Sequence, residues 1–147
     1  MNMRSKEFLL QIKKLNRLIE NKLIEVQQLK DIASNATSNM SGEQVPSGKS
    51  GNTDKIANAI CAYMDLENEI NHDIDELIDK KKAVVSVIEQ LNATEYDVLH
   101  KVYVQSFTLQ EVATRYDRAY SWATTIHGRA LKHVQNILDE REKDEQR

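Results

Sequence analysis

The chain has 147 residues, of which 40% are hydrophobic, 29% charged and 5% aromatic, with a net charge of −3. That length supports one modest domain or two small ones, and a content of one proline and four glycines suits long helices better than sheets. No apolar run approaches the ~20 residues of a membrane span, and no signal-peptide core opens the chain, so a soluble cytoplasmic protein without a membrane partner is expected.

The single cysteine, Cys61, cannot form an internal disulfide, and its Ala- and Ile-rich surroundings predict a small buried or half-buried side chain. Charge is unevenly spread. Residues 1–33 hold seven Lys/Arg against four Asp/Glu, a balance of +3, whereas 54–91 hold four against nine, a balance of −5. Two segments of opposite charge are natural neighbours, although exposed ion pairs contribute only about 0.2–1 kcal/mol each.

From Ser5, a candidate N-cap, to Ala33, the residues Phe8, Ile12, Leu15, Ile19, Leu23 and Val26 recur at spacings of three and four. This predicts a first long helix. Leu18, Leu29 and Ile32 widen its apolar stripe, while Lys13, Lys14, Arg17, Lys22 and Lys30 read as a solvated face.

Residues 34–53, rich in Ser, Asn and Gly and holding Pro46, read as a flexible linker. Within it Gly42 and Gly48-Lys49-Ser50 miss the phosphate-loop frame by one residue, which excludes nucleotide binding there.

A second long helix is expected from Asp54 to Leu91, with Thr53 as its N-cap. Ile56, Ile60, Tyr63, Ile70, Ile74 and Leu77 begin a four-three repeat that Val84, Ile88 and Leu91 continue. Such a repeat packs along another helix, as a coiled-coil-like antiparallel hairpin within the chain or between subunits. Two helices make a poor core, so a homodimer through these residues is expected. The acidic run around His72 lacks the second Glu-x-x-His element of a di-metal bundle, and the other histidines are scattered, so no metal site is expected.

After Leu91, Asn92 to Glu95 read as a hinge and a new cap, followed by a supporting helix to Val104 with Val98, Leu99, Val102 and Tyr103 inward. Thr108 with Glu111 three residues on has the capping-box pattern. Leu109, Val112 and Ala113 then lie on one helix face, and Ala123, Ile126 and Ala130 on another, with Tyr116 to Ala119 as the break between. This is a helix-turn-helix spacing, placed in a module over 92–138 and followed by a charged, fraying tail over 139–147.

Thr108 to Val134 resembles the last helix-turn-helix of bacterial primary sigma factors, with Thr108, Leu109, Glu111, Val112, Tyr116, Asp117, Ile126, Ala130 and Leu131 on matching or chemically similar positions. More widely, the chain looks like a family of small phage and prophage proteins of Gram-positive bacteria that join a helical hairpin to a sigma-like module ending near Ile126-His127-Gly128-Arg129-Ala130-Leu131. That resemblance implies a late-gene transcription regulator working on double-stranded DNA in a bacterial host cell.

Carried over by position, the contacting residues are Tyr120, Ser121, Trp122, Thr124 and Thr125, then Arg129 and Lys132, with Arg118 in the turn. Few are basic. Residues 92–133 hold five Lys/Arg against four Asp/Glu, a balance of +1 that is weak for a DNA-binding module. The alternatives are therefore a module that binds host RNA polymerase or another phage protein, or an oligomeric packaging adaptor. No nucleophile-base pair or metal cluster suggests an enzyme, and no cofactor is expected.

Overall fold

The computed structural model describes the backbone of residues 4–40 and 49–147 and the side chains of 4–35 and 53–147. Its elements are α1 (Ser5–Met40), α2 (Lys49–Ile88), α3 (Ala93–Leu99), a π-helical continuation (His100–Val104), α4 (Leu109–Arg115) and α5 (Tyr120–Glu145). The protein is all-α, and no strand occurs among the described residues.

Several boundaries differ from the sequence reading. The linker expected over 34–53 is helical at both ends, because α1 runs to Met40 and α2 begins at Lys49; Gly42, Pro46 and Gly48 lie outside the described residues. Thr53 is therefore inside α2 and does not cap it. The helix preferences of Ser and Asn fall only about 0.5 kcal/mol below alanine, a weak brake on a helix already nucleated by a buried face. Ser5 is the first helical residue, and its backbone N–H donates to Gln135 Oε1 at 2.8 Å.

At the other end of α2, short N–H bonds from Gln90 to Val87 O and from Leu91 to Ile88 O close the helix before Leu91. The tail also differs. α5 continues to Glu145, since Glu, Lys and Arg are good helix formers even when nothing packs on them.

The chain forms two compact units, Asn16–Glu76 and the combination of Met1–Leu15 with Leu77–Arg147. In the first, Lys22 lies 2.6 Å from Asp73 and 3.4 Å from Glu69, while Lys30 lies 3.0 Å from Glu67. Partners later on α1 meet residues earlier on α2, so the helices run antiparallel there. Ile19, Val26, Ala59 and Ile70 are buried in this unit. The Asp73 carboxylate is buried with them, and its hydrogen bond is the chief cause that raises the Lys22 pKa, against the opposing effect of burial.

The second unit has the deeper core. Leu9 and Ile12 from α1, Val84, Val87 and Ile88 from α2, Val98 and Leu99 from α3, Val112 from α4 and Val134 from α5 belong to one cluster, each at 1% exposure or less. Val102 and Tyr103 join it from the π-helical segment. Asn92 caps α3 by accepting the Glu95 N–H on Oδ1 at 2.9 Å.

The packed pair α4 and α5 carries Ala113 and Ala123, both fully buried. A methyl group is all that such a contact admits. Ala123→Leu adds volume with no cavity to receive it and is expected to lower stability by about 1–3 kcal/mol in urea unfolding, with the denaturant slope unchanged.

Candidate nucleic-acid interface

The α4-turn-α5 segment is built by local rules. Thr108 stands in extended backbone before α4 and its Oγ1 accepts the Glu111 N–H at 3.1 Å. At the other end of α4 the Arg118 N–H reaches Ala113 O at 2.9 Å and the Asp117 N–H reaches Thr114 O at 3.1 Å. These paired bonds form a Schellman closure, which requires a left-handed residue at Asp117, observed at φ 53°. Glycine is the usual occupant, but aspartate is among the few residues that tolerate this conformation.

Side chains then tie the turn to α3. The Tyr116 hydroxyl donates to the Asp97 carboxylate, which also accepts from Lys101 Nζ at 2.7 Å. Burial raises the Asp97 pKa, but the hydrogen bonds from Lys101 and Tyr116 outweigh it and hold the group below its ordinary 3.8. Burial, together with the Asp97 bond, pushes Tyr116 up to about 12. Trp122 packs on Tyr116 with the rings tilted at 46° and centroids 5.0 Å apart, and the Arg118 guanidinium lies 5.8 Å from the Trp122 ring centroid. Of the residues expected at DNA, Trp122 is half-buried against the core and Arg118 is exposed beside its ring.

Further along α5, His127 stacks on Tyr103 with the Tyr103 hydroxyl 2.7 Å from Nε2. Burial, with the charges of Lys6 and Lys13 added, lowers the His127 pKa, and burial pushes Tyr103 up to about 12. Both rings are thus held neutral near pH 7. His133 Nδ1 lies 2.8 Å from the carboxylate of Glu95, which is only 3% exposed.

Opposite the buried stripe of Ala123, Ala130 and Val134, α5 exposes Ser121, Thr125, Arg129 and Lys132, with Tyr120 exposed at the helix start. Thr124 is half-buried beside them. The Thr124 and Thr125 hydroxyls both donate to Ser121 O, at 2.9 and 2.8 Å. Each hydroxyl proton is thereby committed, which leaves the oxygen free to act only as an acceptor.

One flank of this face is an open groove of about 870 Å³. Thr124, Thr125, Gly128, Arg129 and Lys132 line it from α5, and Arg4 and Lys6 from the start of α1. The sequence reading missed Arg4 and Lys6, since nothing local brings the chain's start beside residues 124–132. The only advance signal was the apolar repeat of α1, which had to pack somewhere.

The expected association residues are distributed differently. Ile70 is buried within the chain; Ile56, Ile60 and Tyr63 line a groove of about 480 Å³ with Lys30; Leu77 belongs to the unit of Leu77–Arg147 and packs on its core; and Ile74 is 39% exposed. Much of the four-three repeat is thus used between α1 and α2. Cys61 is exposed, contrary to its apolar sequence context, because it falls on the solvent side of α2. His72 is exposed as well, and the described residues contain no group of three or more metal-ligating side chains. The chain matches no family model, no curated protein and no solved structure.

The Asp97 linkage gives a pH test. Its folded pKa lies below 3.8, so the unfolded chain binds more protons between the two values, and stability from this carboxylate is lost as pH falls through that window. Asp97→Asn is expected to be less stable than wild type by about 1–2 kcal/mol at pH 7. In urea titrations across pH the difference should stay constant down to about pH 4 and close below it.

Proposed function

We infer that the protein is a DNA-binding transcription regulator that reads duplex DNA with the exposed face of α5. The observation that supports this most is the face itself: Ser121, Thr125, Arg129 and Lys132 stand on one side of a helix that follows a tight turn, with Ala123, Ala130 and Val134 anchoring the other side. A helix so presented fits the major groove, where base edges are distinguishable.

The chemistry of the face sets what it reads. With its hydroxyl proton held by Ser121 O, Thr125 suits the amino group of adenine or cytosine, or the thymine methyl. Arg129 carries the five-donor fork that pairs with guanine O6 and N7.

Genomic fragments retained by the purified protein at about 0.15 M salt, where non-specific binding is weak, are expected on sequencing to be enriched in one short site. Absence of any enrichment from folded protein would sink the assignment. On that site, Thr124→Ala with Thr125→Ala should reduce sequence preference, and Arg129→Ala should cost about 1–3 kcal/mol at a guanine position.

Self-association through the Asn16–Glu76 unit belongs to the same reading. Leu18, Leu23, Ile24, Ile32 and Met64 are each more than two-fifths exposed there, apolar surface that a second copy would cover. Ile24→Asp, on an outer position, is expected to give monomers by light scattering with helicity retained. A wild-type monomer at tens of micromolar would end the idea.

A further inference from the structure

Four cations surround the groove beside α5: Arg4 and Lys6 from the start of α1, and Arg129 and Lys132 from α5. No carboxylate lines it, and none of the four forms an ion pair among the described residues. Leaving four like charges together around one depression works against folding through self-repulsion, and a bound polyanion removes that cost.

Gly128 supplies a second, independent observation. It stands inside α5, where glycine is about 0.8–1.0 kcal/mol less favourable than alanine. Its φ is not positive, and a Cβ placed there would meet nothing within 4 Å, so neither backbone conformation nor internal packing requires glycine. What the missing side chain leaves is bare helix on the groove wall between Thr124 and Lys132, where a ligand backbone can approach closely.

We propose that this groove seats the sugar-phosphate backbone of duplex DNA alongside the reading face of α5, with Arg4 and Lys6 acting as a phosphate clamp supplied by the opposite end of the chain. The inference rests on the reading of α5 as the DNA-contacting helix, and it adds the element that sets register on the duplex. Phosphate contacts fix orientation without carrying sequence information, whereas base edges specify. Arg4, Lys6 and Lys132 hold the strand that runs past Gly128, while Thr125 and Arg129, which line the groove and also stand on the exposed face of α5, reach from its edge toward the bases. A duplex backbone fits an open groove with cations on both walls better than a compact ligand, which needs enclosure on most sides.

The test uses the full-length protein, wild type against Arg4→Ala with Lys6→Ala, on the enriched duplex and on an unrelated duplex, with affinity measured from 0.05 to 0.3 M salt. Both residues are exposed, so helicity should be retained, and the thermal midpoint should not fall because two mutually repelling charges are removed. The double variant is expected to bind both duplexes about three- to tenfold more weakly at 0.1 M salt, with a log-log salt slope shallower by about two.

Gly128→Ala provides a second variant in which stability and binding move in opposite directions. It should raise the thermal midpoint by about 2–4 °C through helix propensity, while losing affinity for both duplexes. An unchanged salt slope in the double variant, with wild type still selective, overturns the clamp and leaves the reading of α5 intact. A loss confined to the enriched duplex also overturns it, because a backbone contact is blind to sequence. Wild type that binds neither duplex at 0.05 M salt removes both the clamp and the DNA reading.

Discussion

Leu9 and Ile12 are fully buried among Val84, Val87, Ile88, Val98 and Val134, and the rest of the second unit depends on that contact. The 56 residues from Asn92 to Arg147 form two short helices, a π-helical segment and one long helix, too little to bury a stable core alone. Adding the first turns of α1 and the last turns of α2 supplies side chains each worth about 1.5–3 kcal/mol when fully buried. The entropy of closing so long a loop rises only logarithmically with its length, so residues 9 and 12 can serve α5 almost as well as nearer ones. The start of the chain is therefore part of the module that carries the turn and α5.

Docking α1 in this way has an electrostatic consequence. The helix cannot bury Leu9 and Ile12 without bringing its preceding turn to α5, and the Ser5 N–H bond to Gln135 holds that turn in place. Arg4 and Lys6 then stand across the groove from Arg129 and Lys132. The depressed pKa of His127, on the inner side of the same helix, registers the Lys6 and Lys13 charges as well as burial. Core packing thus determines which charges reach the face of α5.

What could be read from the sequence was mostly what is local. Asn92 and Thr108 cap helices because a side-chain oxygen finds an amide three residues on, and Val98, Leu99, Val102 and Tyr103 are buried because their spacing already defines a face. Composition misled at residues 34–40 and 49–53, where residues common in linkers continue a helix begun elsewhere. Position alone puts Trp122 and Arg118 on the helix front, whereas the tertiary contacts of Trp122 with Tyr116 and of Arg118 with the Trp122 ring are not legible in it. Arg4 and Lys6 escaped notice because their role depends on a contact more than a hundred residues away, such as that from Ser5 to Gln135.

Contacts distant in sequence also let a chain of net charge −3 present a basic groove. A segment count over 92–133 yields only +1, but it omits two cations and includes acids that are already engaged. Asp97 is held by Lys101 and Tyr116, and Glu95 is buried against His133. In the other unit, Asp73, Glu69 and Glu67 are taken up by Lys22 and Lys30. A paired carboxylate contributes little field beyond its partner, so the potential at α5 is governed by unpaired charge, and among the described residues Arg4, Lys6, Arg129 and Lys132 form no ion pair. Where the acids are spent decides what this surface attracts, more than how many there are.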